Sequence, residues 1–190
     1  MILPIVAYGH PTLKKVGVDI EADYPELQTL IENMWETMYA AAGVGLAAPQ
    51  VNKSIRLFVI DASPFAEEHP VTKDFKKVFI NAHIVEEQGE AWTMGEGCLS
   101  LPGMNEEVTR KPSITIRYLD EDFEPYEETF DGILARIIQH EYDHINGILY
   151  VDRLPSLKRV LLKGKLRDIS EGKVDVDYRM TFPRTRKKVR

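Results

Sequence analysis

One cysteine in 190 residues cannot close a disulfide within the chain, and such a sequence suits a reducing compartment. No stretch approaches the roughly 20 consecutive apolar residues of a membrane-spanning helix. Met1 to Tyr8 is apolar, but it lacks a basic leader and is too short for a secretory signal. The sequence therefore reads as cytoplasmic, with no membrane partner. Positive charge is in deficit: 24 Lys and Arg stand against 30 Asp and Glu, a formal net charge of −6. That balance excludes a body-wide nucleic-acid surface, and with it DNA as a partner. Internal repeats and low-complexity tracts are absent as well.

What is present suits one domain spanning residues 1–190. Hydrophobic residues make up 44% and charged residues 28% of the chain, ordinary proportions for a domain of this length with a real core. Leu27, Leu30, Ile31, Met34, Trp35 and Met38 recur at helical spacing, which predicts a helix from about Pro25 to Tyr39 with the proline in its first turn. Ile55 to Ile60 reads as a strand, as does the alternation of Ile114, Ile116 and Tyr118 with Ser113, Thr115 and Arg117. Val78 to Ile80, Ile84 to Gln88 and Glu124 to Phe130 are further strands, and Asp61 to Lys77 reads as a polar surface excursion. Strands and helices do not alternate regularly, so the expected fold is α+β, with mostly antiparallel sheets packed around a buried central helix.

That helix should begin at Asp131, an N-cap residue, and stop at Asn146-Gly147. Ile133, Leu134, Ala135, Ile137 and Ile138 cover most of its circumference, and a helix apolar nearly all round is buried. His140, Glu141, Asp143 and His144 inside it need a reason, because each buried polar group without a partner costs roughly 1–3 kcal/mol. The two histidines are four residues apart, so both imidazoles share one face, one turn apart. His140-Glu141-Tyr142-Asp143-His144 is thus a His-Glu-x-x-His pattern, in which two ring nitrogens reach one metal ion and the glutamate addresses a water on it. A catalytic site of this kind needs a third protein ligand. The extended zincin pattern would supply a histidine at position 150, where this chain has Tyr150. Two alternatives stay open: the downstream carboxylate Glu171, and Cys98 in Glu96-Gly97-Cys98-Leu99-Ser100, whose thiolate suits zinc or ferrous iron.

Three segments together carry a resemblance. Gly43-Val44-Gly45-Leu46-Ala47-Ala48-Pro49-Gln50, Glu96-Gly97-Cys98-Leu99-Ser100 and Gln139-His140-Glu141-Tyr142-Asp143-His144 resemble, in order, the signature motifs of the peptide deformylases. Pro4-Ile5-Val6 and Pro11-x-Leu13 look family-like too, and Ile145 stands where leucine is commoner. The resemblance implies a hydrolase that removes the formyl group from the N-terminal formylmethionine of nascent polypeptides. It implies Cys98, His140 and His144 as ligands of one divalent ion per chain, with ferrous iron physiological and zinc, nickel or cobalt as substitutes. Glu141 would act as general base and then acid for the attacking water, while the Gln50 side-chain amide and the Leu99 backbone N–H would stabilise the oxyanion.

The same resemblance suggests how substrate is held. Gly43 and Gly45, lacking Cβ atoms, allow a ligand chain close to the backbone. An N-formylmethionyl peptide is expected to lie extended along this segment as an added strand, with Gly97 a further contact. Val44 and Ile137 would wall the methionine pocket. Asp143 should need a cation, and Arg110 is the expected partner. The absence of a transit-like leader suits a bacterial rather than an organellar enzyme.

From about residue 170 the chain should form a C-terminal strand and a basic tail. Leu157 to Ile169 reads as a basic amphipathic helix and Val174 to Tyr178 as an edge strand, with Gly164, Gly172 and Pro183 interrupting any long C-terminal helix. Arg184, Arg186, Lys187, Lys188 and Arg190 form a charge run of the kind that is usually solvated, with transient contact to the ribosome as its sharper reading. Two other functions compete: a zincin-like metallopeptidase, and a structural metal domain, which would normally need four protein ligands.

Overall fold

The computed structural model describes residues 1–183. In chain order the elements are β1 (Ile5–Val6), α1 (Leu27–Ala40), β2 (Gly45–Ala47), β3 (Leu57–Asp61), β4 (Lys76–Gln88), β5 (Trp92–Gly97), β6 (Asn105–Arg110), β7 (Ser113–Leu119), β8 (Pro125–Asp131), α2 (Gly132–Ile145), α3 (Ser156–Ser170) and β9 (Met180–Thr181). A five-stranded sheet has the order β2-β3-β4-β7-β8, every neighbour antiparallel. β5 and β6 form an antiparallel hairpin, and β1 pairs with β9 in parallel. The fold is α+β with mostly antiparallel sheets, as the irregular order of elements implied.

Strand periodicity explains how one sheet serves two cores. Successive side chains point to opposite faces, so in β3 Phe58 and Ile60 join one apolar cluster and Leu57 and Val59 another. The first cluster takes in Ile133, Leu134, Ile137 and Ile138 of α2; the second takes in Leu30, Ile31, Met34 and Met38 of α1. The sheet thus lies between the two helices. A third cluster, with Val108, Tyr150, Leu166 and Ile169, joins the hairpin to α3.

Several boundaries differ from expectation. Pro25 lies in a turn ahead of α1, because Glu26 takes a left-handed conformation (φ 55°) and the helix starts at Leu27. Val78–Ile80 and Ile84–Gln88 belong to one long strand with register shifts between Ile80 and Glu86. The excursion after Asp61 holds two short 3₁₀ turns and buries Thr72 and Phe75. The helix expected at 157–169 is present as α3, with Gly164 inside it. Val174–Tyr178 is irregular, and the C-terminal strand falls instead at Met180–Thr181. The basic run 184–190 lies outside the described residues.

α2 matches its expected limits. Asp131 occupies the N-cap position, yet its carboxylate makes no capping bond. At the other end Gly147 has φ +70°, and a Cβ there would meet the Lys14 carbonyl oxygen at 2.8 Å. Glycine is required at that stop.

Candidate active site

Why α2 tolerates so many buried polar groups becomes clear from what covers it. Its apolar residues face the sheet, while the β5–β6 hairpin covers the rest with two charges of its own, Glu96 and Arg110. Arg110 Nε and Nη2 donate to the two Glu96 carboxylate oxygens at 2.6 and 2.8 Å, and Nη1 donates to Asp143 Oδ2 at 2.8 Å. Arg153 grips Asp143 from outside, at 2.6 and 2.5 Å. Arg136, on α2 itself, donates to Glu96 Oε1 and to the Val108 carbonyl at 2.8 Å, and its guanidinium lies 4.7 Å from the centre of the Trp92 ring. Buried charges are tolerable when paired and fully hydrogen-bonded. Burial alone would raise the Glu96 pKa, but the bonds from Arg110 and His140 outweigh it and hold the carboxyl far below its usual range.

Glu96 also reaches the histidines. Its Oε2 lies 2.9 Å from His140 Nδ1. A proton on that nitrogen is then held by the carboxylate, which fixes the ring and leaves Nε2 as a donor atom. The His140 ring stacks on Tyr150 at 5.9 Å and meets His144 edge-on at 5.0 Å. Tyr150 therefore braces His140 from the position where an extended zincin would carry its third histidine ligand. Cys98 comes from the turn that follows β5, with Sγ 3.3 Å from His144 Nε2. Donor atoms of Cys98, His140 and His144 all lie within 4.8 Å of one another. Glu171 lies elsewhere, at the end of α3, with Lys173 2.5 Å away.

A thiol and two imidazoles form a donor set that zinc and ferrous iron both accept. One further observation tests the fit. Glu141 Oε2 is buried without a hydrogen-bond partner, and burial pushes that carboxyl up to about 7. His144, also buried and close to His140, is held well below the usual imidazole range. An unpartnered carboxylate oxygen beside three convergent donor atoms fits a cation that brings solvent with it.

The segment Gly43–Gln50 closes the other side. Gln50 is anchored by its own oxygen, which accepts from the Ala47 N–H at 2.8 Å. Its Nε2 is thereby turned toward Cys98 Sγ (3.5 Å) and Ser100 Oγ (3.3 Å). A Cβ on Gly45 would stand 2.4 Å from Glu141 Oε1; only glycine lets the carboxylate lie against this strand. A cavity of 660 Å³ opens over these groups, lined by Gly43, Val44, Gly45, Gly97, Leu99 and Ile137 among others. The structure thus gathers every site residue expected from the sequence, with Arg110 and Asp143 behind the ligands rather than in the cavity.

Some contributors were not anticipated. Arg136 had a signal, a lone arginine between Ala135 and Ile137 in an otherwise apolar helix. Arg153, which grips Asp143, and Tyr178, which lines the cavity, belonged to no motif, and only the fold brings them here.

Comparison with known proteins agrees on one family. A family model described as "Polypeptide deformylase" matches residues 2–160. A protein of Christiangramia forsetii named "Peptide deformylase" is 56% identical, covering 98% of this chain and 99% of its own. Among solved structures, a peptide deformylase from Legionella pneumophila superposes with a TM-score of 0.79 at 40% identity, covering 91% of this chain and 98% of its own. A class I type b peptide deformylase from Acinetobacter baumannii, described as bound to Met-Ala-Ser, gives 0.75 at 35% identity, covering 81% of this chain and 99% of its own.

Proposed function

The chain belongs to the polypeptide deformylase family, metal-dependent enzymes that remove the formyl group from the N-terminal formylmethionine of nascent peptides, and from that premise we propose which side chains carry the reaction. Cys98, His140 and His144 hold one divalent ion. The observation that carries this reading is their convergence within 4.8 Å beside the unpartnered oxygen of Glu141. When bound, the ion supplies positive charge that acidifies water and polarises the formyl carbonyl.

The protein's own groups do the rest. Glu141 takes a proton from the attacking water and returns it to the departing amine, so that formate and a free amino terminus leave. The Gln50 amide and the Leu99 N–H donate to the oxygen that becomes negative as the carbonyl carbon turns tetrahedral. Two observations support these donors: Gln50 Nε2 is oriented by the Ala47 bond, and the Leu99 N–H makes no hydrogen bond to any described residue. Val44 and Ile137 wall the methionine pocket, while Gly43, Gly45 and Gly97 receive the peptide backbone. β2 is an edge strand of its sheet, which suits strand addition, and the Acinetobacter relative described as bound to Met-Ala-Ser supports a peptide as the ligand. Backbone pairing reads little sequence, as an enzyme acting on many nascent chains needs.

Comparing N-formyl with N-acetyl methionyl peptides tests the reading. Release of formate should exceed release of acetate by orders of magnitude, and rapid cleavage of internal peptide bonds would instead restore a metallopeptidase. The third ligand counts against that competitor, since it precedes the helix and Tyr150 takes the zincin position.

Ferrous iron is our assignment for the ion, with zinc, nickel or cobalt able to replace it. Thiolate ligands and ferrous iron both oxidise, so activity should fall in air; equal activity after aerobic and anaerobic purification would count against iron. We assign the enzyme to the bacterial cytoplasm, where formylated chains are made. Among the described residues no helix is long and apolar enough to cross a membrane. Contact with the ribosome through the basic run 184–190 remains our reading. It is supported by α3, which leaves Leu157, Val160 and Leu161 exposed beside Lys158 and Arg159. Deleting 184–190 should weaken ribosome binding in a salt-dependent way and spare turnover of a formylated tripeptide.

A further inference from the structure

The turn after β5 has two duties in the reading above, a metal ligand at Cys98 and an oxyanion donor at the Leu99 N–H, and its backbone must be held still for both. Its own bonds are few: the Leu101 N–H reaches the Cys98 carbonyl at 2.9 Å. Lys165 of α3 donates to the Gly103 carbonyl at 2.6 Å, and the anchors beside Cys98 and Leu99 come from the two ends of the chain. The Tyr8 N–H donates to the Ser100 carbonyl at 2.9 Å, and the Tyr178 hydroxyl donates to the Leu99 carbonyl at 2.7 Å. These anchors are themselves tied together, because β1 just before Tyr8 pairs with β9 just after Tyr178; Ile5 N–H bonds the Arg179 carbonyl and Ala7 N–H the Thr181 carbonyl, both at 2.9 Å. Tyr178 is half-buried, lines the substrate cavity, and rests against the apolar cluster beneath α1.

We propose that Tyr178 is a positioning residue: its hydroxyl pins the Leu99 carbonyl and so aims the Leu99 N–H at the developing oxyanion. The two groups sit in adjacent peptide planes joined at the Leu99 Cα. The Cys98 carbonyl, coplanar with the N–H, is held by the Leu101 N–H, and fixing the Leu99 carbonyl holds the next plane, which limits how far the N–H can turn. Rate then depends on the segment between α3 and β9, far in sequence from the ligands. Because the phenol is weakly acidic, and burial and the nearby Cys98 push it up to about 12, it stays a donor throughout the working pH range. The inference rests on the assignment of the Leu99 N–H as a donor, and the experiment separates the two.

Tyr178→Phe keeps the ring and the cavity wall and removes only the hydroxyl. In the metal-loaded, full-length enzyme kcat for a formyl-methionyl tripeptide should fall about three- to tenfold, the scale of one hydrogen bond, with KM and metal content unchanged. A second enzyme carries the α-hydroxy analogue of leucine at position 99, an ester that deletes the Leu99 N–H and weakens the Cys98 carbonyl that accepts from Leu101. Folding should survive, since that N–H bonds no described residue and the Leu101 bond is kept in weaker form. Its kcat should fall further than that of Tyr178→Phe, and adding Tyr178→Phe to it should cost nothing more. Full kcat in Tyr178→Phe, a parallel loss of metal, or losses that multiply in the combined enzyme would each overturn the role of Tyr178. Full kcat in the ester enzyme would remove the Leu99 assignment itself, whatever Tyr178 does.

Discussion

Helix α2 and the turn after β5 bring candidate ligand atoms to one place by opposite means. In α2 the spacing is intrinsic: residues four apart share a face in any helix, so His140 and His144 are paired before the fold forms. The turn after β5 has no such rule. Cys98 and Leu99 reach the candidate site only because the hairpin crosses α2, Gln50 approaches from the 3₁₀ turn after β2, and Tyr178 and Tyr8 hold the loop from the chain's ends. Yet neither region is independent. The helix can bury His140 and Asp143 because β5 and β6 supply Glu96 and Arg110, and Glu141 has room because β2 has a glycine against it.

Substitutions can break that mutual dependence at graded cost. Glu141→Gln removes the proposed proton acceptor and leaves the proposed ligands; turnover of a formyl-methionyl peptide should fall about 10²–10⁴-fold, while metal analysis shows full occupancy. Full activity would overturn the assigned mechanism. Arg110→Met takes one cation from each of two buried carboxylates and leaves Glu96 to Arg136 and Asp143 to Arg153. Urea unfolding should therefore register a loss of about 3 kcal/mol, the low end for a broken buried pair, the helix paying for damage done in the hairpin. Gly45→Ala sets a Cβ 2.4 Å from Glu141 Oε1. Its effect should appear in kcat, about 10²-fold for a displaced catalytic group, with thermal stability much less affected; unchanged kcat would mean that Glu141 is not confined by this strand. Asp131→Ala should sharpen the picture from below. An N-cap aspartate usually contributes about 1 kcal/mol, but this one makes no capping bond, and its removal should change unfolding free energy by less than about 0.5 kcal/mol.

Elements with a strong period were the ones readable in advance. The stripe of α1, the limits of α2 and the alternation of β7 all appear as expected, because a single buried face imposes its repeat on the residues. β5 was unreadable: Trp92-Thr93-Met94-Gly95-Glu96-Gly97 has two glycines and a charge, and it is a strand because β6 pairs with it. Val174 to Tyr178 failed in the reverse direction. It alternates like a strand but passes over the cavity mouth with its hydroxyl spent on Leu99, and pairing resumes only at Met180.

For the candidate site, the amino-acid sequence by itself determined that the two histidines and the glutamate lie together, since their geometry is local to one helix and their burial demanded a purpose. It also carried, through three motifs in order, the resemblance that the family match and close relatives bear out. Only the tertiary structure decided what satisfies the buried charges, why Glu141 fits beside Gly45, and what holds the turn at Leu99. Those are contacts between segments tens of residues apart, formed by the closure of the fold, and no local periodicity encodes them.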